Sequence, residues 1–126
     1  MRTRAFLAVA ILAFGFVAAI PGQVWAEDST MSWSFRSNHP NIVQLEFYSQ
    51  HRNAAWPGGG RAYVLNDYGV QTFNLNCWQG EKICYGAWVD GDASEYWGVG
   101  IDDSQDCYDC CVTCQNGYAG TRNLNP

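Results

Sequence analysis

The chain has 126 residues, 48% of them apolar, and a formal net charge of −5, with seven Lys and Arg against twelve Asp and Glu. So few cations cannot neutralise a phosphate backbone or hold an anionic lipid surface, which sets nucleic acid and anionic membranes aside as partners.

In chain order, Met1-Arg2-Thr3-Arg4 places two cations before an uncharged apolar run from Ala5 to Ile20. Pro21-Gly22 breaks any helix, and Val24-Trp25-Ala26 ends in the small residues that a signal peptidase reads. This pattern predicts an export signal over 1–26, cleaved after Ala26, and no stable membrane insertion once it is gone. The expected location is secreted or periplasmic. Cleavage removes Arg2 and Arg4, leaving 100 residues at a formal charge of −7. A domain of that size buries roughly two thirds of its unfolded surface and benefits from covalent staples.

Residues 27–32 read as a polar, flexible tail, with order beginning at Trp33. Trp33 to Phe35 is extended, and Ser37-Asn38-His39-Pro40-Asn41 is a turn, so a first hairpin onto Ile42 to Tyr48 is expected. That second arm alternates, with Val43, Leu45 and Phe47 inward and Gln44, Glu46 and Tyr48 outward. Ser49 to Gly60 is a loop through Asn53, Trp56, Pro57 and Gly58-Gly59-Gly60. Arg61 to Leu65 resumes as a short strand. After the turn at Asn66 to Gly69, Val70 to Cys77 forms another, with Phe73, Leu75 and Cys77 inward. Trp78-Gln79-Gly80-Glu81 is a turn leading into Lys82 to Val89, a continuous apolar strand expected at the centre of a sheet. Asp90 to Ser94 is a loop, and Glu95 to Ile101 is a last strand with glycines at 98 and 100.

No window of eleven or more mature residues has helical periodicity, and short strands recur at regular spacing. The expected fold is therefore all-β: a small antiparallel sandwich or barrel of about six or seven strands, stabilised by disulfides. It occupies 33–115 as a single domain, with 116–126 as a C-terminal tail.

Six cysteines, Cys77, Cys84, Cys107, Cys110, Cys111 and Cys114, permit fifteen pairings. Export favours disulfides, and Cys77 and Cys84 are placed on adjoining strands. A vicinal Cys110–Cys111 bond would strain the peptide between them. Bridges from Cys77 or Cys84 into the 107–114 cluster would close loops of about 25 to 35 residues, worth about 3 to 4 kcal/mol each. At least one is expected. A structural zinc knuckle is the alternative for paired C-x-x-C units, but here the units abut with nothing between them to swing the second pair around a metal. A redox couple is disfavoured by Asp106 and Asp109, which would raise a thiol pKa.

Asp90-Gly91-Asp92-Ala93-Ser94-Glu95 spaces oxygen ligands as a calcium loop would, but lacks the glycine and glutamate such a loop requires and reads as a solvated turn. Asp102, Asp103, Asp106 and Asp109 could gather a cation or simply form a charged connector. His39 and His51 stand beside no nucleophile, and no cofactor or phosphate-binding motif is present. Trp56 and Trp78, both in loops, are the candidate ligand platforms, with Arg52 and Arg61 supplying polar contacts.

The stretches 43–50, Trp56-Pro57-Gly58-Gly59, 80–88 and 96–100, ending in the cysteine cluster, resemble small exported bacterial proteins of uncharacterised function. The resemblance covers most of the mature chain and implies no activity and no site residue. The order of elements is also similar in architecture to thaumatin-like sandwiches, whose larger disulfide set and acidic cleft motifs are not found here. The leading functional expectation is a noncatalytic exported module binding a carbohydrate or an envelope protein. The alternatives are a cell-envelope enzyme or enzyme inhibitor, and a structural zinc protein. The sequence does not specify an oligomeric state.

Overall fold

The computed structural model describes residues 27–126; the export signal expected over 1–26 lies outside them. Two sheets pack face to face as an open sandwich. The smaller has the order β5-β1-β9, from strands β1 (Ser29–Ser37), β5 (Gln71–Cys77) and β9 (Gly117–Leu124). The larger contains β2 (Val43–Ser49), β3 (Ala55–Trp56), β4 (Tyr63–Leu65), β6 (Lys82–Val89), β7 (Asp92–Gly98) and β8 (Cys111–Thr113). Its main path is β3-β2-β6-β7, with β4 on β2 and β8 on β6. A short 3₁₀ turn spans Ile101–Asp103.

The inner faces follow from alternation. Val43, Leu45 and Phe47 of β2 are fully buried, as are Trp33 and Phe35 of β1 and Ile83 and Ala87 of β6. Aromatic rings interlock across the layer, with Trp33 and Phe47 centroids 5.5 Å apart and Phe35 and Tyr85 5.0 Å apart. Such pairs add about 0.5 to 1.5 kcal/mol each beyond their area. β6 is central as expected, buried on its outer side too, where Cys84 joins Tyr48, Val99 and Cys110 in a second small core.

Several expectations need correcting. β1 and β2 do not form a hairpin; residues 38–42 arch from one sheet to the other, because both strands carry apolar faces that meet across the core. The turn at Trp78–Glu81 likewise crosses between sheets, so Cys77 and Cys84 stand on opposing layers rather than adjoining strands. Order begins at Ser29, with Met31 only 3% exposed. The segment expected to be a C-terminal tail is β9, which lies parallel to β1 in an otherwise antiparallel fold. Nine strands result among the described residues.

The cysteines pair as Cys77–Cys114, Cys84–Cys111 and Cys107–Cys110, with sequence separations of 37, 27 and 3. The first ties the two sheets together, the second joins directly opposed residues of β6 and β8, and the third closes a surface loop. Both long bridges run from the strands into the cluster. Pairing occupies every sulfur that a zinc knuckle or dithiol couple would use.

Beyond β7, the chain lies backbone to backbone on β6. A Cβ at Gly86 would sit 2.0 Å from the Gly100 carbonyl oxygen, and one at Gly98, whose φ is +62°, would sit 2.2 Å from that of Tyr85. This contact ends β7 at Gly98, short of the expected Ile101. Replacing Gly86 by alanine is expected to cost about 3 kcal/mol, the upper part of the overpacking range. The melting temperature should fall by roughly 10 °C or more in a thermal scan. An unchanged melt would contradict the close approach.

Candidate functional site

The outward face of β2 carries Glu46 and Tyr48 two residues apart. On one side the loop from Ser49 to Arg61 rises above them, and on the other the turn holding Asp102 and Asp103. Between lies a cleft of about 570 Å³. The loop is shaped by a cis Trp56–Pro57 bond and by Gly58, Gly59 and Gly60, all with positive φ, which a side chain would resist. The Arg61 N–H returns to the Gly58 carbonyl at 3.2 Å, and Arg61 stands exposed on the rim.

The opposite rim is unusual backbone. Asp102 and Asp103 have φ of 56° and 54°, a left-handed pair that neighbouring bonds over-determine. The Asp102 N–H donates to Tyr48 Oη at 3.0 Å, and Gln50 Nε2 donates to Asp103 Oδ2 at 3.0 Å. Tyr48 and Glu46 are near enough for each to shift the other's protonation. Burial, reinforced by the nearby Asp102 charge, pushes the Glu46 carboxyl above its ordinary value against the lowering effect of Tyr48. Burial and the Glu46 charge likewise drive the Tyr48 phenol well up, so it stays protonated. The cleft therefore presents carboxylate acceptors on its floor and one rim, with a guanidinium and loop backbone on the other.

Of the residues expected to bind ligand, the structure brings three into one packed latch. Arg52 stacks on Trp78 at 4.1 Å from the ring centroid and lies 5.6 Å from that of Trp56. Its guanidinium grips Glu81, from Nε at 2.6 Å and Nη2 at 3.1 Å, and also reaches Glu27 at 3.0 Å. Trp56 packs against the core and donates its indole N–H to the Asn76 carbonyl at 3.0 Å, joining β3 of the larger sheet to β5 of the smaller. Trp97 does the same at the other edge, donating to the Asn125 carbonyl at 2.7 Å. Arg52 touches the cleft, Arg61 lines it, and neither Trp56 nor Trp78 does. By alternation alone Glu46 and Tyr48 are ordinary outward residues of β2. Their spacing on one strand face, with two loops to follow, was the available signal.

The acidic segment 90–95 turns only at Asp90-Gly91 and enters β7 at Asp92, where a loop was expected as far as Ser94, and its carboxylates are engaged. Asp90 accepts from Gln44 at 2.8 Å, Asp92 caps Ser94, and Glu95 meets His39 Nε2 at 2.9 Å. His39 is 8% exposed, and its Nδ1 accepts the Asn41 N–H, so Nε2 bears the proton given to Glu95. Among the described residues, no group of three or more His, Cys, Asp or Glu is arranged to hold a metal, and no helix is long and apolar enough to cross a membrane. No protein family, no curated protein and no solved structure matches the chain, so the residues and their geometry carry the functional argument.

Proposed function

We propose that the protein is an exported, disulfide-stabilised binding module that takes a carbohydrate in the cleft between the glycine loop and the Asp102–Asp103 turn. The cleft carries this reading. Its volume of about 570 Å³ suits a small ligand, and its wall opposes carboxylates to a guanidinium, matching hydroxyls that both donate and accept. Export rests on the leader pattern over 1–26 and on the three disulfides, which persist in oxidising compartments.

A glycan array of neutral and amino-bearing oligosaccharides, followed by calorimetry on any hit, tests it. Arg61→Ala should weaken binding tenfold or more while moving the melting temperature by no more than about 3 °C, since Arg61 is exposed. An array on which the native protein binds nothing would overturn the reading.

One observation favours an envelope enzyme as the second reading. Glu46, whose carboxyl burial pushes above its ordinary value, stands in the same cleft as Asp102, and two carboxyl groups facing one cleft are what hydrolysis of a glycosidic bond uses. A Glu46→Gln variant that binds the same oligosaccharide, where the native protein cleaves it, would favour the enzyme.

A further inference from the structure

The twelve acidic residues are not evenly spread. None falls in β1, β5 or β9, so the smaller sheet carries no carboxylate in a chain of net charge −5. Its inner face is core. Its outer face is a small array in two rows, fixed by register: Asn74, Ser32 and Tyr118 lie abreast in one, and Thr72, Ser34 and Thr121 in the next. Strand geometry spaces neighbours at about 4.8 Å across the strands and about 6.8 Å along them. The hydroxyls order one another, Ser34 with Thr72 at 2.7 Å and Tyr118 with Thr121 at 2.7 Å. Tyr118 is 60% exposed, and Asn74, Thr72 and Thr121 are exposed. Arg36, the cation at the end of this face, is pinned by its bond to the Tyr68 carbonyl.

This composition selects its occupant. A phosphate or acidic polymer needs a field of cations, which the face lacks. An apolar protein surface needs exposed aliphatic side chains, and the array supplies none. Strand addition is opposed on the β5 side, where the Trp56 indole covers the Asn76 carbonyl. What remains complementary is a flat, uncharged, hydroxyl-rich surface, met face-on by hydroxyls and amides with no charge to desolvate and with a tyrosine ring to lie against it. We propose that the outer face of the β5-β1-β9 sheet is a docking surface for an insoluble neutral polysaccharide, separate from the cleft on the opposite layer.

Co-sedimentation with microcrystalline cellulose and with chitin, against alginate beads as the anionic control, tests the proposal. Saturable retention on a neutral polymer is expected, unchanged at about 1 M salt, where charge interactions are screened beyond about 3 Å. Asn74→Asp, isosteric but charged, and Tyr118→Ala should each weaken retention at least tenfold, with melting curves confirming the fold. Arg61→Ala, which alters the cleft, should leave sedimentation unchanged. Retention insensitive to both face variants, retention abolished by Arg61→Ala, retention on alginate alone, or no retention at all would each overturn the proposal. So would a dimer in sedimentation equilibrium that the same two face variants dissociate, since the face would then be covered by a second copy.

Discussion

Replacing Glu81 by alanine is expected to destabilise the protein by about 3 kcal/mol, the low end of the range for breaking a buried ion pair, because Arg52 is partly exposed and keeps its bond to Glu27. Glu81 is 1% exposed, at a turn that sequence alone marks as polar. Its carboxylate accepts from Arg52 twice, from the Trp78 N–H at 3.0 Å and from the Ser49 hydroxyl. Burial pushes its carboxyl up, but those hydrogen bonds more than offset it and hold the group below its ordinary 4.5. A carboxyl depressed in the folded state contributes stability that is fully present above the unfolded value and is lost as pH falls through the folded one. Denaturant unfolding should therefore show a wide gap between the native protein and Glu81→Ala at neutral pH, narrowing as pH drops below 4.5. A gap that stays constant into strong acid would show that the carboxylate's charge is not what the latch uses.

The second large effect is expected at Cys77–Cys114. Its sequence separation of 37 and its span between sheets give a chain-entropy contribution of about 4 kcal/mol, whereas Cys107–Cys110, with a separation of 3, contributes about 2. Replacing both members of each pair by serine and measuring unfolding in urea should reproduce that order. Equal losses for the two bridges would place the stabilisation in local packing of the cysteine segment rather than in closure of the long loop.

Strands whose inward and outward faces differ chemically were legible one by one. β2 and β5 show it by alternation and β6 by its unbroken apolar run, and in each case the side chains expected inward are the buried or half-buried ones. Partnership was less legible. β9, with two glycines and a single buried residue at Leu124, has no pattern of its own, and its strand conformation is imposed by the open hydrogen-bonding groups of β1. The grouping of Arg52, Trp56 and Trp78 was visible as a composition of loop aromatics with a cation. What composition could not reveal was the carboxylate of Glu81 drawn beneath them, which turns the trio inward. The cleft is partly legible for the same reason: Arg61 and the glycines announce a loop, while the floor depends on which strand face that loop covers.

The parallel seating of β9 on β1 has a consequence in time. β1 is the middle strand of its sheet and the first of the described strands, yet Met31 waits for Gly117 and Ser37 for Leu124, both in the last of them. Every disulfide also needs a sulfur from residues 107–114. A chain made from its N-terminus can pair β2 with β6 early, but it can lock a bridge only after residues 107–114 and close its smaller sheet only after β9. Such long-range closure makes folding slow. In the export that we propose for this chain, lateness of this kind would keep it open until it reached the compartment where its cysteines oxidise.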